Sequence, residues 1–180
     1  MDYKLLMDQL KSLAKEEKWF VPLLSNASAL LYDTLPDLNW AGFYLVRGDE
    51  LILGPFQGKV ACIRIGRDKG VCGTAWAEND TVRVGNVHEF PGHIACDSAS
   101  NAEIVVPLRD GEGKVRAVMD LDSPLLHRFT LEDQLGLEAF ARALEAAVQW
   151  ECPHVCKEDH QHGKDHLSGG RVLLGLPEVF

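Results

Sequence analysis

Leu6, Leu10, Leu13 and Ala14 recur at helical spacing, with Lys and Glu on the opposite face, which predicts a helix from Asp2 to about Lys18. A second helix is expected to start near Pro22, a residue suited to a first turn. It carries Leu24, Ala27, Leu30 and Leu31 to about Tyr32 and stops before Pro36, which disfavours helical geometry for the residue preceding it. The period then changes from helical to extended. Trp40–Val46 (WAGFYLV) reads as an aromatic-rich strand, Gly48-Asp49 as a turn, and Leu51–Leu53 as the returning strand, broken at Gly54-Pro55. Val60–Ile65 is expected to be a strand carrying Cys62, Thr74–Glu78 a short helix with Cys72 just before it, and Thr81–Val84 another strand. Glu103–Leu108 and Val115–Leu121 form a hairpin across Asp110–Gly113, and the nearly continuous apolar run of its first strand suggests a central position. Thr130 starts the last long helix as an N-cap, with Asp133 at the third helical position of a capping box and an apolar stripe that ends near Trp150. Hairpin-linked strands with helices at both ends indicate an α+β fold.

Between Gly85 and Asn101 neither period survives, and a loop of this length inside a domain is usually functional or disordered. Phe90, Ile94 and Ala95 around Pro91-Gly92 favour an ordered one. It contains Cys96. Three of the five cysteines (Cys62, Cys72 and Cys96) and two histidines (His88 and His93) lie between residues 62 and 103. Cys96 stands between His93 and Asp97 among small residues, where backbone amides can donate to a thiolate. That setting favours a functional thiol over an inert buried one. Cys72, set before a helix, is expected to feel the positive end of its dipole, which would lower the thiol pKa. Spacings of 10 and 24 residues between these cysteines lack the paired knuckles of structural zinc sites.

Asp120 and Asp122, two residues apart on a strand, point to one face, and Glu103 is placed to face the same cavity. Neighbouring carboxylates repel, so they hold a proton or pair with a cation, which suits a small ligand bearing an ammonium group. Trp40 and Tyr44 share one side of their strand.

Composition narrows the classes. The 180 residues, 46% of them hydrophobic, are enough for one domain with a sizeable core. A formal charge of −9 argues against a nucleic-acid surface. No run approaches the ~20 apolar residues of a membrane span, and the amphipathic N-terminus lacks the apolar core of a signal peptide. The expectation is a cytoplasmic protein whose thiols are reduced, so that any disulfide is transient and part of a mechanism. Residues 1–151 are read as the domain. Residues 152–180, with Cys152, His154, Cys156, His160, His162 and His166, are read as a polar extension without a specific metal site or separate fold.

The strings NWAGFYL (Asn39–Leu45), LGPFQGKVAC (Leu53–Cys62), GVCGTA (Gly70–Ala75), FPGHIACD (Phe90–Asp97), SNAEIVVP (Ser100–Pro107) and DLDSP (Asp120–Pro124) resemble the free methionine-(R)-sulfoxide reductases, single GAF-domain enzymes. The resemblance runs in order from about residue 20 to residue 148. It implies a six-stranded antiparallel GAF sheet with helices packed on one side. It also implies reduction of free L-methionine-(R)-sulfoxide to methionine without metal or organic cofactor, thioredoxin restoring the enzyme. Cys96 then matches the nucleophile, Cys62 the resolving thiol and Cys72 the third redox cysteine, although which of Cys62 and Cys72 resolves Cys96 stays open. Trp40 and Tyr44 match the wall around the substrate methyl group, and Glu103, Asp120 and Asp122 the carboxylates that hold its amine. Three positions depart from the family pattern: Asp68 and Ala117 where glycines are common, and Asn86 where an aspartate is usual. The rival reading is a GAF small-molecule sensor, which needs the pocket but not three thiols. The sequence does not determine the oligomeric state; a homodimer is one option.

Overall fold

The computed structural model describes residues 2–94 and 97–151. Two helices, α1 (Tyr3–Glu16) and α2 (Phe20–Thr34), lead into strands β1 (Trp40–Arg47), β2 (Glu50–Gly58) and β3 (Arg64–Gly66). Helix α3 (Gly70–Glu78), strand β4 (Val82–Val84), a 3₁₀ turn (Val87–Glu89), strands β5 (Ala102–Arg109) and β6 (Val115–Ser123) and helix α4 (Leu131–Ala147) follow. The strands form one antiparallel sheet in the order β3-β2-β1-β6-β5-β4.

Alternation along the strands gives the sheet two buried faces. Ala41, Phe43 and Leu45 of β1, Ile104, Val106 and Leu108 of β5, and Ala117, Met119 and Leu121 of β6 pack against α1, α2 and α4. Trp40, Tyr44, Val105 and Val118 point the other way, to a second cluster that includes Val71, Cys72, Ala75 and Trp76 of α3. The three long helices thus share one face, as the resemblance implies, and the short α3 covers the other. This second face carries the site.

Local chemistry accounts for the element boundaries. Asp2 caps α1 by accepting from the Leu5 amide, and Pro22 falls in the first turn of α2, which begins two residues before it. Thr130 and Asp133 form the expected reciprocal capping box of α4. That helix ends at Ala147 rather than near Trp150, because Val148 turns to extended geometry. The Gln149 amide donates to Lys18 and its carbonyl accepts from Phe20, tying the end of α4 to the α1–α2 junction.

Two strand expectations are corrected. Gly54-Pro55 does not break β2; pairing with β1 skips from Gly42↔Phe56 to Tyr44↔Leu53, so the dipeptide sits in a bulge where the missing proline N–H costs no ladder bond. Gly42 makes this possible, since a Cβ there would come within 2.3 Å of the Phe56 Cβ. Cys62 is not on a strand: β3 is only Arg64–Gly66, and residues 60–63 run irregularly along the sheet edge with Val60 and Ile63 exposed. Asp68, where the family favours glycine, adopts φ +61°. Aspartate tolerates this left-handed geometry better than most residues. The Asp68 amide donates to Gly73 O at 3.1 Å, so the tight β3–α3 turn is kept. Asn86 accepts from the His88 amide and so caps the 3₁₀ turn. Ala117 is fully buried on the long-helix face.

Among the described residues, no helix is long and apolar enough to cross a membrane.

Candidate active site

Strand register assembles the carboxylates. Glu103 of β5 lies directly opposite Asp122 of β6, and Asp122 is opposite Trp40 of β1; one step along, Asp120 is flanked by Val105 and Gly42. The absence of a side chain at Gly42 leaves room beside Asp120 for the rings on β1. Trp40 stacks on Tyr44 at 5.8 Å between centroids and on Phe56 at 5.3 Å, and its indole N–H donates to Lys59 O. Phe56 completes an aromatic wall that the sequence reading missed, because it lies past a dipeptide taken to end its strand. Trp40, Tyr44, Asp97, Asp120 and Asp122 line one end of the cleft. Tyr44, Cys72, His93, Glu103, Asp120 and Asp122 line the other.

Burial dominates the electrostatics. Glu103 and Asp120 are 7% and 5% exposed. Removal from water pushes the Asp120 carboxyl up to about 7, against bonding to Cys72 and Glu103 that favours its charged form. Glu103 and Asp122 are raised well above the usual carboxylate range, first by burial and then by the charge of Asp120. The Tyr44 phenol is raised for the same two reasons. This cluster therefore keeps protons near neutral pH, and it is short of positive charge. His93 Nε2 is 3.8 Å from Glu103 Oε2, but burial and the nearby His88 lower its pKa.

Asp97, at the other rim, contrasts with these. Its carboxylate accepts from the Ala99 amide and from Asn39 Nδ2, with Lys59 Nζ at 3.5 Å, and the amide bond leads in holding it below the usual range. Asn39 also donates to Ser100 Oγ at 2.9 Å, and the Ser100 hydroxyl bonds Asp122. Asn39, Lys59 and Ser100 thus join the two rims. They come from three separated segments, and no spacing in the sequence relates them.

The cysteines occupy different settings. Cys72 is the third residue of α3, not the residue before it, and its thiol donates to Glu103 Oε1 at 3.9 Å. Burial and the adjoining Asp120 and Glu103 push this thiol well above its ordinary value, the reverse of the dipole-activated thiolate anticipated. The dipole of a short helix is outweighed by desolvation and two carboxylates. Cys62 is half-buried and disulfide-bonded, whereas Cys72 is a free thiol. Cys96, the expected nucleophile, lies outside the described residues, as does the Cys/His-rich segment 152–180.

The raised Asp120 value carries a testable consequence for stability. A carboxyl whose pKa is raised on folding favours the folded state fully below its unfolded value near 4 and loses that advantage as pH rises through about 7. The shift from 3.8 to about 7 bounds the loss at roughly 4 kcal/mol. Asp120→Asn, neutral at every pH, is expected to melt about 3–10 °C above the parent at pH 8 in the presence of a chelator, with the difference vanishing near pH 4. Thermal unfolding across this range checks it; a variant that melts lower than the parent at pH 8 contradicts the desolvation account.

The GAF domain family matches residues 22–148. Free methionine-R-sulfoxide reductase of Escherichia coli (strain K12) is 53% identical over 132 residues, which is 73% of this chain and 79% of that protein. Protein YtsP of Bacillus subtilis (strain 168) is 49% identical over 149 residues, 82% of this chain and 91% of its own. Among solved structures, fRMsr of Staphylococcus aureus in complex with substrate superposes with a TM-score of 0.78 at 47% identity, covering 82% of this chain and 96% of that one. With its GAF sheet and identities near one half over most of its length, the chain belongs to the free methionine-R-sulfoxide reductase family.

Proposed function

We propose that this protein reduces the R-sulfoxide of free methionine to methionine, using Cys96 as nucleophile and Cys62 as resolving thiol. The observation that carries the reading is the cluster of Glu103, Asp120 and Asp122, rich in carboxyl groups and poor in cations, set in one cleft with the Trp40–Tyr44–Phe56 wall. The relatives' names supply the substrate, and the cluster suits both its ends. An ionised carboxyl pairs with the α-ammonium of a free amino acid, a protonated neighbour delivers a proton to the sulfoxide oxygen, and the rings enclose the S-methyl group.

In the first step the Cys96 thiolate attacks the sulfoxide sulfur while the sulfoxide oxygen takes one proton. The hydroxyl then passes to the Cys96 sulfur as the transient S–S bond and the original S–O bond break, which leaves Cys96 as a sulfenic acid and releases methionine. The two electrons that reduce the substrate come from the Cys96 sulfur. The Cys62 thiol then attacks the sulfenic sulfur; the Cys96 S–O bond breaks, the proton lost by Cys62 goes to the departing hydroxide to make water, and a Cys62–Cys96 disulfide forms. An external dithiol, thioredoxin in this reading, exchanges that bond away and is itself oxidised. Supporting this order, Cys62 is disulfide-bonded and stands on an irregular edge beside exposed Val60 and Ile63, where a protein dithiol has access. Cys72, buried and bonded to Glu103, is the poorer candidate for that exchange.

All of these residues lie within 1–151, which we take as the catalytic unit in the cytoplasm. The direct test is methionine release from separate R- and S-sulfoxides with dithiothreitol or thioredoxin, for the full chain and for one ended after Glu151. Turnover of the R-isomer alone, within a few-fold for the two chains, is expected. No methionine from either isomer would remove the proposal, and a folded but inactive short chain would remove the assignment of the catalytic unit.

A further inference from the structure

Cys72, Glu103 and Asp120 form a cluster whose three potential ligand atoms all lie within 4.8 Å of one another, with every side chain buried. Cys72 Sγ is 3.9 Å from Glu103 Oε1. A tetrahedral zinc ion, with bonds of about 2.3 Å to sulfur and 2.0 Å to oxygen, sets such atoms about 3.5 Å apart. The separations in the cluster, at most 4.8 Å, exceed that spacing by no more than about 1.3 Å.

A second observation is independent of this spacing. Asp120 Oδ1 is buried without a hydrogen-bond partner among the described residues, and its side chain lines the cleft. Buried carboxylate oxygens nearly always have a partner, so this oxygen leaves a ligand position open. The basic groups lining the same cleft are His93 and Lys69, and Lys69 is exposed. Donor chemistry then selects the ion: a thiolate beside two carboxylates suits zinc rather than the all-oxygen sites of magnesium or calcium. Three protein ligands leave the fourth position for water, or for His93, whose Nε2 is 3.8 Å from the second oxygen of Glu103.

We propose that Cys72, Glu103 and Asp120 bind a zinc-class divalent cation, and that the bound ion occupies the place of the substrate ammonium. The inhibitory half of this statement rests on the function proposed above; the binding half does not. On binding, the Cys72 thiol forms its bond to the metal and its proton leaves to solvent. Catalysis and metal then exclude one another, so free zinc acts as a reversible brake.

Cobalt tests binding without reference to activity. The reduced, chelator-stripped full-length protein is titrated with Co²⁺, then with Zn²⁺. A thiolate-to-cobalt absorption band displaced by zinc is expected in the parent. The band should vanish in Cys72→Ser. Affinity should fall by roughly two orders of magnitude in Asp120→Asn and in Glu103→Gln, since the loss of a second-shell partner alone costs about 10–100-fold. The double variant Cys152→Ser/Cys156→Ser should keep the band, which separates this site from the Cys/His-rich segment. A band absent from the parent, retained in Cys72→Ser, or lost in the double variant overturns the site. In turnover, one equivalent of zinc should stop methionine release and a chelator restore it; full turnover with zinc bound overturns the brake. A protein inactive even with chelator overturns the proposed reaction instead, while the cobalt titration still decides the site.

Discussion

Replacing Cys96 by serine is expected to abolish methionine formation, whereas Cys62→Ser is expected to release about one methionine per chain and then stall with thioredoxin as reductant. The two outcomes differ because sulfenic acid forms before any disulfide. Serine at position 96 leaves no thiolate to attack the sulfoxide sulfur. Serine at position 62 leaves that attack intact but strands the oxidised Cys96. Rapid-quench measurement of methionine over the first turnover separates the cases. A burst from Cys96→Ser, or undiminished steady-state turnover in Cys62→Ser, contradicts the assigned roles. Cys72→Ser adds a third arm: a stall like that of Cys62→Ser would move resolution to Cys72, against its burial and its bond to Glu103.

N-Acetylation of the substrate is expected to lower kcat/KM by about 10²–10⁴-fold, the cost of leaving a buried charge without its partner, about 3–5 kcal/mol. Glu103, Asp120 and Asp122 face one cleft with little cationic compensation, and the free ammonium supplies what they lack. An amide nitrogen carries no charge and cannot replace it. Asp122→Ala should lose activity on the free substrate and discriminate less between the two compounds. Equal rates on free and acetylated sulfoxide, or an Asp122→Ala variant as active as the parent, would contradict the role of the cluster. Selectivity for the free amino acid would then need another source.

Much of this architecture is local and was therefore legible in the chain. The capping box at Thr130–Asp133, the end of α2 before Pro36, and the β5–β6 hairpin across Asp110–Gly113 depend on residues a few positions apart. Alternation likewise assigned Asp120 with Asp122, and Trp40 with Tyr44, to common faces, since side chains on a strand repeat every two residues. Where long-range contacts compete with such signals, the reading failed. Gly54-Pro55 looks like a strand break, yet pairing with β1 absorbs it as a bulge and brings Phe56 onto Trp40. Val60–Ile65 has strand composition, but only Arg64–Gly66 pairs with β2.

Cys72 shows the same division most sharply. Its place near a helix start predicts a lowered pKa, and the helix start is correct to within a few residues. What surrounds its sulfur is set by β5 and β6, about 30 and 50 positions away in the chain. The sequence by itself determined the three long helices, the β1 and β5–β6 strands, and the carboxylates and two of the rings that line the site, because propensity, capping and periodicity act over a few residues. Only the tertiary structure decided that Cys72 sits against Glu103 and Asp120, that Phe56 extends the aromatic wall, and that Asn39 links Asp97 to Ser100. Those relations depend on strand register and on burial, and the free energy of a charge taken out of water depends on neighbours that no local pattern names.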